Sequence, residues 1–140
     1  MKISKLGDDF SVIEYEMHDY KFYCFGGEPK LLYITSDKGG KLPTREDFFD
    51  ANGNHLEMQD KNYLNNPTRC PVLPIHFDQM KDLCRILTKG MKHLRMDFYE
   101  IGGKVLCGEF TFYENGGFVE FTPEQYNRIV GDWIKLPTDK

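Results

Sequence analysis

The stretch "HLRMDFYEIGGKVLCGEFTF", residues 93–112, decides the fold: two short strand-like runs flank Gly102 and Gly103, and each carries one carboxylate, Asp97 and Glu109. Side chains alternate across a strand, so Leu94, Met96 and Phe98 share one face while Arg95, Asp97 and Tyr99 share the other. A two-residue loop at Gly102-Gly103 pairs Met96 with Glu109 and mixes apolar with charged residues on both faces. A three-residue loop, Ile101 to Gly103 with Gly103 left-handed, brings Arg95, Asp97, Glu109 and Thr111 to one face instead. In that register the carboxylates are diagonal neighbours about 7 Å apart at the backbone.

Outward from the hairpin, "FSVIEYEM", "DYKFYCF" and "KLLYITSD" are rich in aromatic and β-branched residues, with "GGEP" as a turn, and predict an antiparallel meander. From Gly39 to Pro74 the sequence is irregular, with an Asn-Gly turn in "DANGNHLEM" and a Pro-rich connector in "NNPTRCPVLP". Phe77, Met80, Cys84, Leu87 and Met91 recur at helical spacing and predict a helix over 77–90, ended by Gly90. "TPEQYNRIVGDWIKL" predicts a second, with Thr122 as cap and Pro123 at the first helical position. The order β-β-β, irregular, α, β-β, α predicts an α+β fold: an antiparallel sheet with two helices packed on one face, as a single domain over 1–140.

The chain has 140 residues, enough for one core that buries roughly two thirds of the unfolded surface. Its net charge of −4, with scattered basic residues, lacks the basic stripe of a nucleic-acid binder. No apolar run reaches the roughly 18 residues of a membrane span, and "MKISKLGDDF" lacks a signal-peptide core, so a cytoplasmic location is expected. Cys24, Cys70, Cys84 and Cys107 form no CxxC pair and read as buried, reduced thiols. The four histidines share no ligand spacing.

Two acidic side chains on a shared strand face repel unless a cation lies between them, and Mg²⁺ is commonly held by one or two carboxylates plus phosphates. A solvated face with Arg95 neutralising the acids accounts for the same pattern. Periodicity leaves both readings open.

The runs "RMDFY" and "GEFTF" resemble the metal-binding hairpin of the ATP-grasp superfamily. More narrowly, "DYKFYCFGGEPK", "RMDFYEIGGKVLCGEFTFYENGGF" and "FTPEQYNRIVGDWIKL" resemble successive blocks of TupA-like ATP-grasp proteins of polysaccharide and teichuronopeptide synthesis. The resemblance implies ATP and Mg²⁺ as cofactors, with Asp97, Glu109 and Thr111 as metal ligands. Thr111 stands where the superfamily often has Asn. Arg95 is implied as the catalytic residue facing an acyl phosphate. Lys21 is implied as a phosphate-contacting lysine, and Glu14 and Glu16 as the strand that holds adenine and ribose. Gly116 and Gly117 are either a plain turn or a loop beside the triphosphate.

The resemblance further implies ancestral carboxylate-amine ligase activity, with a nucleotide and a carboxylate or sugar-linked substrate as ligands. It covers the C-terminal half of such enzymes, so an N-terminal subdomain from a homodimer or a separate chain is the expected partner. A non-catalytic module that keeps the fold is the alternative, and a glycosyltransferase-associated protein is the third.

Overall fold

A computed structural model describes residues 18–36, 44–65, 71–112 and 120–133, and describes residues 2–6 and 12–16 at the level of backbone pairing. The element order is β1 (Lys2–Leu6), β2 (Val12–Glu16), β3 (Tyr20–Phe25), β4 (Glu28–Ser36), β5 (Arg45–Asp50), β6 (Gln59–Asp60), α1 (Phe77–Leu87), β7 (His93–Ile101), β8 (Lys104–Thr111), β9 (Phe121–Thr122) and α2 (Gln125–Asp132). Five strands form one antiparallel sheet in the order β5-β4-β3-β7-β8, while β1-β2 and β6-β9 are separate two-stranded pairs. The expected antiparallel α+β architecture with two helices holds.

Both faces of the central strands are buried, since every residue of β3 is buried, and each has its own cover. The helices do not share one face, as the element order predicts, but divide the task, because the sheet is buried on both sides. Met80 and Cys84 of α1 pack with Phe22, Cys24, Leu32, Ile34, Leu94, Met96 and Phe98 on one face. Tyr126 and Val130 of α2, with Trp133, pack on the other against Tyr23, Phe25, Leu31, Tyr33, Phe48, Met58 and Phe121. Asn127 ties α2 down: its side-chain oxygen accepts the Phe121 N–H at 2.8 Å and its amide donates to the Phe121 carbonyl at 3.2 Å.

Several sequence expectations need correction. The meander does not hold, because β2 pairs with its immediate predecessor β1, and β3 instead lies between β4 and the distant β7. The irregular segment contains β5, whose charged "REDFFD" hides a strand that buries Phe48 and Phe49 on opposite faces. The Asn-Gly turn is present, with the Asp50 carboxylate accepting the backbone N–H of Asn52 and Asn54 at 2.9 Å each. Helix α1 stops at Leu87, where the Thr88 hydroxyl donates to the Cys84 carbonyl at 2.7 Å, and Leu87 and Met91 are exposed. Thr122 does not cap α2: it lies in β9, precedes a cis peptide to Pro123, and leaves Glu124 at the cap position without a side-chain cap bond. Cys24 and Cys84 are buried thiols as expected, Cys107 is exposed on the edge strand β8, and Cys70 lies outside the described residues.

The deciding hairpin turns on two residues, not three. Ile101 pairs with Lys104, and Gly102 and Gly103 both take positive φ, +59° and +76°, the mirror-image turn whose twist matches its strands. Parity is restored further along. Phe98 pairs with Cys107 and Met96 with Phe110, so Asp97 alone faces both Gly108 and Glu109. That extra residue is a β-bulge, and beyond it Arg95 and Thr111 share a register position.

Candidate functional site

The α2 face of β3, β7 and β8 carries charge where the same strands are apolar on the α1 face. Lys21 of β3 lies directly across from Asp97 of β7, and its ammonium donates to Asp97 Oδ2 at 2.7 Å. Arg95, two residues before Asp97 and so on the same face, donates from Nε to Oδ1 at 2.9 Å and from Nη2 to Oδ2 at 3.0 Å. This is the bidentate fork that guanidinium and carboxylate planes favour. Arg95 Nη1 donates to the Tyr33 hydroxyl at 3.2 Å. Asp19, just before β3, places Oδ2 3.7 Å from the Lys21 ammonium. The four charged residues are nearly sealed from water, with Asp19 2%, Lys21 8%, Arg95 9% and Asp97 1% exposed. Such charges persist at low dielectric only because each is paired.

The neighbours follow the same electrostatics. Burial opposes the charge on Arg95, but Tyr33, the Asp97 hydrogen bonds and charge, and Glu109 outweigh it, so the guanidinium is held more firmly than usual. Burial pushes the Tyr33 phenol well up, against the Arg95 charge and reinforced by Glu46, Asp97 and Asp60. Tyr99 is raised by burial, then by the charge of Asp19 and a hydrogen bond to it. The Tyr99 ring lies over Gly108: a Cβ there would sit 2.5 Å from Tyr99 Cε2, so the bulge residue must lack a side chain.

Of the residues singled out in the sequence, the structure brings Lys21, Arg95 and Asp97 into direct contact. Glu109 stands at the bulge opposite Asp97, exposed, and acts electrostatically on Arg95 and Tyr99. Thr111 is the register partner of Arg95, and its buried Oγ1 has no hydrogen-bond partner among the described residues. Glu14 and Glu16 fall on β2, which pairs with β1; their side chains, like Gly116 and Gly117, lie outside the described residues. Asp19, Tyr33 and Gly108 escaped the sequence reading, which placed Tyr99 on this face but gave it no role. Asp19 had a signal, since it stands two residues before Lys21 and shares its parity.

The donor set suits a hard divalent cation in kind, being carboxylate and hydroxyl oxygen. A carboxylate offers about four acceptor directions. Arg95 Nε, Arg95 Nη2 and Lys21 Nζ take three at Asp97, which leaves one on Oδ1. That direction, Glu109 at the bulge and the Thr111 hydroxyl, which has no hydrogen-bond partner among the described residues, are oxygen donors of the kind Mg²⁺ takes. Among the described residues no cluster of three or more His, Cys, Asp or Glu side chains stands ready for a metal.

Compared with known families, residues 5–135 match the family described as TupA-like ATPgrasp. Neither the curated proteins nor the solved structures give a match. No helix among the described residues is long and apolar enough to cross a membrane.

Proposed function

The chain belongs to the TupA-like ATP-grasp family, and on that premise we propose that the charged stripe of the α2 face is the phosphate-facing part of an Mg²⁺-ATP site. The reaction is then activation of a carboxylate and its joining to an amine or another nucleophile, in the synthesis of a cell-surface polysaccharide. The single observation that carries this reading is the buried Lys21–Asp97–Arg95 cluster, with Glu109 brought to its face by a bulge.

Each residue has a role its position supports. Lys21 and Arg95 supply positive charge to phosphate oxygens, Arg95 held in place by its fork on Asp97 and Lys21 as a mobile point charge. Asp97, Glu109 and Thr111 offer oxygens toward the metal. Mg²⁺, when bound, neutralises charge that spreads over the transferring phosphoryl group. Tyr33 holds the guanidinium from its far side and keeps its plane fixed. We further take Glu14 and Glu16 as the candidates for adenine and ribose contacts.

A second reading is a non-catalytic module, favoured by the saturation of Asp97: with three of about four acceptor directions used, the cluster is stable without a ligand. Isothermal titration with Mg²⁺ and a non-hydrolysable ATP analogue separates the two. The ligase reading expects micromolar binding that falls at least about tenfold, or 1.4 kcal/mol, in Asp97→Asn/Glu109→Gln. No heat from the native chain at millimolar ligand leaves the module. Leu106, Phe110 and Phe112, 45%, 48% and 56% exposed along and beyond edge strand β8, support association with a second copy or a separate N-terminal half. A strictly monomeric sedimentation profile at high concentration counts against that.

A further inference from the structure

We propose that Asp19 is a positioning residue, a second acceptor that takes over the Lys21 ammonium when Asp97 is claimed by another cation, with the Tyr99 hydroxyl fixing the Asp19 carboxylate. The inference rests on the reading of Asp97 as part of a cation–phosphate site.

The stripe is balanced, two cations against two carboxylates, all buried. A divalent cation at Asp97 repels the ammonium that donates to Oδ2, and water is too scarce there to receive it. Arg95 cannot yield, since its Nε, Nη1 and Nη2 are all engaged. Lys21 can, because its ammonium rides on a flexible four-carbon stem. The nearest other carboxylate oxygen among the described residues is Asp19 Oδ2, 3.7 Å away against 2.7 Å for Asp97 Oδ2. A shift on the order of 1 Å brings it within hydrogen-bond range without exposing it.

Asp19 is held ready. The Tyr99 phenol lies close enough to interact with its charge, and the Tyr99 ring is seated on Gly108, where a Cβ would sit 2.5 Å from it. The glycine that makes the bulge thus also admits the ring that fixes Asp19. Gly108, Tyr99, Asp19, Lys21, Asp97, Arg95 and Tyr33 form one contiguous row across four elements of the sheet.

The test follows the Lys21 ammonium protons by NMR on protein labelled with ¹⁵N-lysine, where a buried, hydrogen-bonded ammonium exchanges slowly with water. In Asp97→Asn the Lys21 signal should move but persist, because Asp19 receives the charge. In Asp97→Asn/Asp19→Asn it should vanish, and Asp97→Asn/Asp19→Glu should recover it. Loss of the signal in Asp97→Asn alone, or its survival in the double Asn variant, overturns the proposal.

If the double variant does not fold, Asp19→Asn alone decides. It should raise the Mg²⁺ concentration for half-maximal binding of the ATP analogue by about tenfold, the order expected for losing one close charge partner, and leave Mg²⁺-free affinity within about twofold. A uniform loss at all Mg²⁺ concentrations marks Asp19 as merely structural. A native chain that binds no nucleotide sinks the ligase reading, while the ammonium signals still decide Asp19.

Discussion

On the α1 face of β3 and β7 the inward residues are Phe22, Cys24, Leu94, Met96 and Phe98, and α1 closes over them with Met80 and Cys84. On the opposite face of the same two strands stand Lys21, Arg95 and Asp97, with Tyr23 and Phe25 toward one end. Strand partners, twist and depth of burial are the same, yet one face is filled by dispersion and hydrophobic burial and the other by desolvated charge. Fully burying an apolar side chain gains roughly 1.5–3 kcal/mol, whereas a buried ion network does well to offset its own desolvation. Stability therefore does not explain the charged face. Retention of four buried charges beside a full hydrophobic core is what a site looks like when its chemistry, not its packing, sets its residues.

That contrast can be broken by substitution. Removing one charge should have the largest effect on folding: Asp97→Ala strands Lys21 and Arg95 and should lower unfolding free energy by about 3–5 kcal/mol in urea titration. Replacing the whole cluster, as Asp19→Leu/Lys21→Met/Arg95→Met/Asp97→Leu, should be neutral or stabilising by about 1–4 kcal/mol while abolishing analogue binding. On the α1 face the pattern inverts. Phe98→Ala should cost about 3–5 kcal/mol through the cavity it leaves, and the folded fraction should bind the analogue as the native chain does.

Gly108→Ala probes the seam between faces and should cost about 1–3 kcal/mol by overpacking against Tyr99. Added to Tyr99→Leu, the same change should cost much less, a coupling that a double-mutant cycle reads directly.

The smallest expected effect is on pH dependence. His93, on the α2 face, stacks on Phe25 with ring centres 4.5 Å apart and donates from Nδ1 to the Cys24 carbonyl at 3.0 Å. Burial pushes its imidazole below the ordinary value, and the carbonyl only partly opposes that. With a folded value below the unfolded one of about 6.5, the unfolded chain binds the proton first. His93 thus contributes stability that is present above about pH 6.5 and is lost as pH falls through its folded value. Melting temperatures between pH 7 and 5 should show this decline, and His93→Phe should flatten it.

Much of this was legible in the sequence because the periodicities are local. The alternation of Arg95 with Asp97 fixed their common face, and the spacing of Phe77, Met80 and Cys84 fixed α1. The common face of Glu109 was legible too, but not its cause: Gly-Gly suits either loop length, and the bulge is set by Tyr99 lying on Gly108 from the neighbouring strand. Long-range pairing was the rest. β5 escaped because "REDFFD" reads as charged until its partner β4 is known. The start of α1 at Phe77 was legible, but not what anchors it: the carboxylate of Glu100 on β7 accepts the N–H of Ile75 and His76 at 3.1 and 2.7 Å. Asp19 shares the parity of Lys21 but was missed because an acid at the end of a strand reads as solvated until its burial is seen.

The central claim, that the charged face is kept for a metal–phosphate ligand, is tested most directly by a crystal structure with Mg²⁺ and a non-hydrolysable ATP analogue. The account predicts phosphate oxygens on Lys21 and Arg95 and the metal between Asp97 and Glu109, with the apolar α1 face unchanged. An analogue bound elsewhere, with the Lys21–Asp97–Arg95 contacts as they are now, would contradict it.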